Sequence, residues 1–422
     1  MTAPAPLIDT ARLGALMDEF SRYGGTTDGG MHRVTLSPED GAARDALRRW
    51  MAENGLSITV DPMGNVFGLL DLAGPDAPLV MTGSHLDSQP HGGRLDGAYG
   101  VLAGCEAIRA VREALAARGE RACCNLALVD WTNEEGARFQ PSILGSSVYA
   151  GLLDQDYALE RRDGDGVSVR EALAAIGYAG TGQFPMPQAY VELHVECNGV
   201  LDAKHQRFGV VTRHWGATKL RLAFLGKQAH TGATSMAERR DALLGAARLI
   251  ARIRDLADEA PGLLHTSVGR LEVKPNSPNV VPGEAVMFVE LRSTEQHAMD
   301  WAEAELKAAA TRIAAEAGLG FEIRATDYRA VGHFDETLIA LATEEARALG
   351  EPTERLDCPA ANDANCMIPI CPAVVLQVPS IGGLCHHPSE HTAQADLELG
   401  ADLLARVLLR LVRDGIPAGS DR

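Results

Sequence analysis

Ionisable side chains are crowded where apolar, strand-like runs of the sequence end. One such stretch is GSHLDSQPHGGRLDGAYG, residues 83–100, which holds His85, Asp87 and Asp96. Imidazoles and carboxylates together form a mixed nitrogen and oxygen donor set that suits Zn, Mn, Co or Ni. The sequence therefore predicts a metal site. Three further clusters follow apolar runs in the same way: Glu134 with Glu135, His194 with Glu196, and His386 with His387.

The adjacent glutamates Glu134 and Glu135 indicate what such a site could do. Consecutive side chains cannot both bind one ion in the same way, so one can be a ligand while the other faces a metal-bound water. A carboxylate in that place can take a proton and pass it to a leaving amine. Asp96 has two oxygens and could bridge two ions ~3.5–4 Å apart.

Each cluster has an ordinary explanation when it is taken alone. A histidine in a strand is usually a structural residue, paired glutamates usually lie on a solvated surface, and GGRLDG could be only a tight turn. All four clusters fall at predicted strand ends, which favours a metal site. The chain has no GxSxG nucleophile elbow and no GxxxxGK phosphate loop.

The elements that must position these residues alternate between strands and helices. Apolar strand patterns such as APLVMTG, CNLALVDW, QAYVELHVE and PAVVLQVPS are separated by helical patterns, which predicts an α/β sheet flanked by helices. Ligands gather at the carboxyl ends of the strands in such sheets. Residues 213–328 instead follow the order βαββαβ and predict an inserted ferredoxin-like domain, with residues 1–212 plus 329–422 forming the catalytic, metal-binding domain.

The length and net charge of the chain limit the kinds of molecule that it is expected to bind. The chain has 422 residues and a net charge of −18, so we expect two domains and no nucleic-acid or anionic-membrane partner. No run resembles a signal peptide or a membrane span, which favours a cytoplasmic protein. In that compartment the eight cysteines are expected to be reduced thiols.

The inserted domain carries polar residues of its own. His230 lies between a predicted strand and a helix, Asn279 lies in SPNVVPG, and Arg292 ends the strand VMFVELRS. An arginine fork with an amide neighbour suits a substrate carboxylate. A surface salt bridge explains Arg292 equally well at this stage.

These residues, in this order, resemble the hydantoinase/carbamoylase family of binuclear metal amidohydrolases, which includes N-carbamoyl-L-amino-acid hydrolases, β-ureidopropionases and allantoate amidohydrolases. The family is related to the aminoacylases and metallo-carboxypeptidases. The resemblance implies a mixed-sheet catalytic domain with an inserted dimerisation or lid domain. The likeness covers nearly the whole chain, and it rests on DPMGNVFG, GSHLDSQPHGGRLDGAYGVLAG, NEEGARF, ELHVE, GKQAHTGATSMAERRDAL, PNVVPG, ELRS and HHPSEHT.

The resemblance also implies roles at the matching positions. Two divalent ions would be held by His85 and His194 on one side, Glu135 and His386 on the other, and Asp96 between them. Glu134 would be the general acid and base. Asp87 would orient His85, His230 would act on the site of the partner in a homodimer, and Arg292 with Asn279 would hold the substrate carboxylate.

Two positions depart from the family pattern. Cys197 stands in HVECNG where the family usually has the glutamine of HIEQGP, and Asn362 stands in PAANDA where it has the histidine of GAGHDA. Both are expected to face substrate, at the end where an amide would read a ureido group. The predicted metal ligands are unaffected.

The sequence therefore predicts a metal-dependent hydrolase that cleaves a non-peptide C–N bond of a small carboxylate, with an N-carbamoyl amino acid or ureido acid as the leading substrate. The alternative is another C–N substrate in the same site: an N-acyl amino acid, a dipeptide, or the amine of an activated aromatic amino acid. A non-catalytic binding protein is less favoured, because a binder has no need of Glu134 beside the ions.

Overall fold

The computed structural model describes residues 5–417, which form two compact units. One unit contains the described residues up to Thr212 and from His333 onward, and the other is Arg213–Gly332. The strands are β1 (Ser57–Val60), β2 (Val66–Leu70), β3 (Leu79–His85), β4 (Asn125–Trp131), β5 (Ala189–Glu196), β6 (Gly209–His214), β7 (Gly216–Leu225), β8 (Ala229–His230), β9 (Leu264–Lys274), β10 (Val280–Val281), β11 (Glu284–Ser293), β12 (Gly320–Arg329), β13 (Gly332–His333), β14 (Glu354–Cys358) and β15 (Ala373–Pro379).

The helices begin and end at positions that the local sequence explains. Ser37 accepts a hydrogen bond from the Asp40 amide at the start of α2, and Gly119 ends α3 in the left-handed conformation. The helices are α1 (Thr10–Phe20), α2 (Pro38–Glu53), α3 (Ala98–Arg118), α4 (Leu144–Tyr149), α5 (Gln155–Leu159), α6 (Val169–Ile176), α7 (Val200–Ala203), α8 (Ala242–Glu259), α9 (Gln296–Ala317), α10 (Glu336–Ala348), α11 (Ala364–Met367) and α12 (Gln394–Asp414), with a 3-10 turn at Ile381–Gly383.

The first unit is built on a mixed nine-stranded sheet in the order β1-β2-β4-β3-β5-β15-β6-β13, with β14 paired to β6. Four central strands, β4, β3, β5 and β15, run parallel. Their side chains are buried on both faces, as expected of strands covered by helices on each side. Their carboxyl ends therefore meet at one edge of the sheet. The predicted α/β fold is confirmed.

The second unit is the ferredoxin-like fold that the sequence predicts. Its antiparallel sheet has the order β12-β7-β11-β9, and α8 and α9 bury apolar residues against it. The sequence pattern did not indicate β8 and β10, two-residue strands that pair with each other. None of the described helices has the length and apolar character that crossing a membrane requires.

Candidate metal centre

Each of the four parallel strands leads to a predicted ligand or base at the sheet edge. His85 is the last residue of β3, His194 lies in β5, and Glu134 and Glu135 follow β4 within a few residues. His386 follows β15 after the 3-10 turn. The sheet topology therefore brings together residues that are up to 301 positions apart in the sequence. His85 and His386 each belong to a group of donor atoms that includes Asp96.

Asp96 lies at the centre of the cluster. Its Oδ1 is 3.2 Å from Nε2 of His194, and its Oδ2 is 3.2 Å from Nε2 of His386. His386 Nε2 is also 3.1 Å from Oε2 of Glu135. The donor atoms form two groups that share Asp96: one with His85 and His194, the other with Glu135 and His386. All five predicted ligands thus lie in one cluster.

The two buried imidazoles present the same nitrogen to this cluster. Nδ1 of His85 lies 2.9 Å from the carbonyl oxygen of Asp87, and Nδ1 of His194 lies 2.9 Å from the carbonyl oxygen of Val195. Because a carbonyl only accepts, each Nδ1 carries a proton, and each Nε2 can offer its lone pair to a cation. This arrangement fits a metal ligand better than a structural histidine.

Glu134 lies beside His85 and is almost fully buried. Its Oε2 is 3.5 Å from Nε2 of His85. Burial, together with the charges of Asp363, Glu135 and Asp87, raises the pKa of Glu134 well above its ordinary value, while His85 opposes the shift. A carboxylate with a raised pKa binds a proton more readily than an ordinary glutamate, which suits general acid–base chemistry.

The pKa values of the predicted ligands are shifted because these charged groups lie close together. Burial disfavours the charged form of Asp96, but hydrogen bonds from His194 and His386 hold its pKa well below the usual range. Hydrogen bonds to Asp96 and Glu135 raise the pKa of His386 to about 10. Oδ2 of Asp96 is buried, and among the described residues its 3.2 Å contact with Nε2 of His386 is too poorly directed to satisfy it fully. A divalent cation would satisfy this oxygen and neutralise the carboxylates, so the residues fit a metal centre.

Asp87 supports the site in two ways. Its carbonyl oxygen is the nearer partner of His85, since the carboxylate Oδ1 is 3.6 Å from Nδ1. The carboxylate instead accepts the backbone amides of Glu134 at 3.2 Å and Glu135 at 3.4 Å. Asp87 therefore ties the end of β3 to the loop that carries the base and one ligand.

Several supporting residues were not identified from the sequence. Glu390 accepts the amides of Leu95 and Asp96, and burial raises the pKa of Glu390 to about 7. Gln89 donates from Nε2 to Oε2 of Glu135 at 2.9 Å. Gln89 lies just after His85 and Asp87 in the sequence, and Glu390 ends the HHPSE stretch. Their spacing does not indicate which groups they bind.

Gly97 is required by the close approach of His85. It has a φ of 66°, and a Cβ there would lie 2.2 Å from the imidazole ring. Gly97 thus serves two purposes: it allows the tight turn, and it leaves room for the imidazole of His85. The turn and the metal-site interpretations of this stretch are therefore compatible.

The structure contradicts the expectation of reduced cysteines at one pair. Cys197 and Cys385 form a disulfide, with their Cα atoms 5.4 Å apart, whereas the other six cysteines are thiols. The error arose because the two residues are 188 positions apart and meet only through the adjacent strands β5 and β15. Asn362 is buried, and its Oδ1 accepts a hydrogen bond from Sγ of Cys358.

The remaining predicted residues lie in the second unit. His230 in β8 pairs with Val280 in β10, which places it beside Asn279. Nδ1 of His230 accepts the amides of Gly232 and Ala233, so its Nε2 carries the proton. Arg292 is the penultimate residue of β11, at the end of that strand away from this ribbon. The structure therefore brings His230 and Asn279 together and separates both from Arg292.

Known proteins match this chain over most of its length. The model of peptidase family M20/M25/M40 matches residues 81–410. The chain belongs to this family. It is 36% identical to an N-carbamoyl-L-amino-acid amidohydrolase of Rhizobium meliloti, over 95% of this chain and 96% of that one. It is 33% identical to an allantoate amidohydrolase of Bacillus subtilis, over 93% of this chain and 95% of that one.

A solved structure gives the same result for the fold. An amidase of the hydantoinase/carbamoylase family from Burkholderia vietnamiensis superposes with a TM-score of 0.87 and 36% identity, covering 97% of this chain and 98% of the other. The resemblance to the hydantoinase/carbamoylase amidohydrolases is thereby confirmed. The M20 chain is a hydrolase that acts on C–N bonds, and its clustered donors are candidate ligands for the divalent metal typical of this family.

Proposed function

We propose that this M20 amidohydrolase uses two divalent ions to hydrolyse a non-peptide C–N bond of a small carboxylate, with N-carbamoyl amino acids and ureido acids as the leading class. The observation that carries the proposal is Asp96, whose two oxygens face His194 and His386 and join two donor groups. Zn, Mn, Co and Ni all suit this donor set. When bound, such ions polarise a carbonyl and activate water.

The side chains of the chain itself carry the proton and the substrate. Glu134 takes the proton from the attacking water and gives it to the departing nitrogen, and its buried position keeps its proton affinity high enough for both steps. Nε2–H of His230 donates to the carbonyl oxygen of the scissile bond, since Nδ1 is already occupied as an acceptor. Arg292 clamps the substrate carboxylate with two charge-assisted hydrogen bonds.

The placement of these groups supports a homodimer. His230 and Asn279 lie at the β8–β10 ribbon, whereas Arg292 lies at the opposite end of β11, which favours their acting on different sites of a dimer. We propose that His230 and Asn279 act on the partner's site. In a two-fold dimer both sites are then built in the same way.

Mixing two inactive variants is expected to restore activity. His230→Ala and Glu134→Gln chains that exchange subunits form heterodimers in which one site has both groups. With equal mixing, half the dimers are mixed and half of their sites are complete, so about a quarter of native activity should return. Initial rates after exchange, with dimer composition followed by native mass spectrometry, measure this.

A control variant in the same unit is His297→Ala, because His297 is exposed and should leave activity unchanged. Complete exchange without any recovered activity would show that each site is built within one chain.

A second substrate type is favoured by the two departures from the family pattern. Cys197 is bonded to Cys385 and so does not supply the amide of the family's glutamine. Asn362 is buried against Cys358 and does not supply the imidazole of the family's histidine. Substrates with a bulkier or less polar nitrogen substituent, including an aromatic one, then fit this end better than a simple carbamoyl group.

We therefore expect low kcat/KM on simple N-carbamoyl amino acids. The double variant Cys197→Gln with Asn362→His should raise that value by about 10-fold, because a polar group regains partners in the site. Ammonia and amine release across ureido, N-acyl and amino-aromatic acids, with metal supplied, is the assay.

Cys385→Ser is the matched control, since it removes the disulfide without adding an amide. High native efficiency on N-carbamoyl amino acids that stays the same in the double variant would refute this specificity. Release from no member of the panel would refute the proposed function.

A further inference from the structure

Two sulfur atoms lie next to the candidate metal centre and are neither ligands of its two ions nor proton carriers in the proposed hydrolysis. Cys197 directly follows β5, three residues after His194, and Cys385 directly precedes His386. Both residues are half-buried. Their sulfurs and a carboxylate oxygen of Asp96 all lie within 4.8 Å of one another.

The backbone around this pair is held in place by contacts other than the disulfide. Oδ2 of Asp202 accepts the Gly382 amide at 2.8 Å, and Ser380 donates from its hydroxyl to the Leu384 carbonyl at 2.8 Å. Gly199 and Gly383 pack so closely that a Cβ on Gly383 would lie 2.5 Å from the Gly199 nitrogen. The two sulfurs therefore stay close together when the bond between them is reduced.

The covalent state of the pair decides what it can bind. The sulfurs of a disulfide are poor ligands for a divalent ion, whereas two thiolates are strong ones for soft and borderline metals. Thiolates bind Zn²⁺ at about 2.3 Å and complete tetrahedral sets together with carboxylate or imidazole donors. In the reduced chain, two thiolates and Asp96 supply three donors at one place.

We propose that reduced Cys197 and Cys385, together with Asp96, form a binding site for a thiophilic divalent ion such as Zn²⁺ or Cd²⁺, and that the disulfide is the closed state of this site. A dithiol reductant opens it by thiol–disulfide exchange: the reductant becomes a disulfide, and each cysteine sulfur ends as a thiol. Binding of the ion then releases the two thiol protons to solvent.

A second thiol pair in the chain provides a comparison. Sγ of Cys123 lies 3.9 Å from Sγ of Cys124. Within the described part of the chain, no histidine or carboxylate joins these two thiols in a group of three donors. Adjacent thiols alone therefore do not reproduce the arrangement at Asp96.

Cadmium titration of the metal-free protein tests the site through its thiolate-to-metal charge-transfer absorption in the ultraviolet. The full-length chain is stripped with chelator and compared in reduced and oxidised forms. We expect the band to appear with Cd²⁺ in the reduced chain only. Cys197→Ser and Cys385→Ser should each lose most of the band, and Cys123→Ser should keep it.

The imidazoles and carboxylates of the centre also take up Cd²⁺, but without sulfur they give no such band. A reduced chain without the band would overturn the proposal, as would a band that persists in Cys197→Ser or an equal band in the oxidised chain. Circular dichroism shows whether each variant is folded, and Cys385→Ser provides a second variant if Cys197→Ser is not. Because hydrolysis is not measured, failure here is distinct from failure of the proposed function.

Discussion

Replacement of Glu134 by glutamine is expected to lower kcat by roughly 10²–10⁴-fold, the usual contribution of general acid–base catalysis. Glutamine keeps the shape of the side chain but cannot accept the proton. Glu134 contacts His85 from the edge of the centre, so the variant should fold and keep its metal. Steady-state kinetics and metal analysis on the same preparation check both statements.

Glu53→Gln is the matched control, because Glu53 is exposed at the end of α2 and should leave kcat unchanged. Near-native turnover of Glu134→Gln at full metal content would show that another group moves the proton.

The same residue predicts the acid limb of the pH profile. Only the ionised carboxylate can act as a base, so kcat/KM should fall as pH drops through the pKa of Glu134. Burial and neighbouring carboxylates raise that pKa, which places the limb at higher pH than an ordinary glutamate would. The limb should be absent from the residual activity of Glu134→Gln.

Replacement of Asp96 by asparagine is expected to cause the other large loss. Asparagine keeps one carbonyl oxygen, so it can face His194 or His386 but cannot present an anionic oxygen to both donor groups. We expect at least one ion to be lost and activity to fall about 10³-fold, since metal catalysis supplies several kcal/mol of transition-state stabilisation. Metal content by atomic spectroscopy and kcat/KM at saturating metal are the measurements.

Asp76→Asn is the corresponding control, because Asp76 is exposed in the turn before β3. An Asp96→Asn chain that holds its full metal content and turns over normally would exclude Asp96 as the shared ligand.

The sequence predicted the sheet and the clustering of donors well, for a physical reason. His85, Glu135, His194 and His386 each follow or end a long apolar run, and parallel strands bring their carboxyl ends to one edge. The βαββαβ order likewise identified the second unit, because its helices and longer strands have clear periodicity.

Contacts that depend on tertiary approach could not be predicted in this way. The Cys197–Cys385 bond joins residues 188 positions apart with no characteristic spacing, and Glu390 accepts the amide of Asp96 across 294 positions. The β8–β10 ribbon is too short to leave a pattern. The ribbon brings His230 beside Asn279, a contact that sequence order alone does not indicate.

The central claim is that five side chains hold two divalent ions around Asp96. Anomalous diffraction from a metal-loaded crystal tests it directly. The account predicts two peaks within about 2.0–2.2 Å of the donors, one bound by His85, His194 and Asp96 and the other by Glu135, His386 and Asp96. Peaks that lie elsewhere, or two of these five side chains remaining far from both ions, would contradict it.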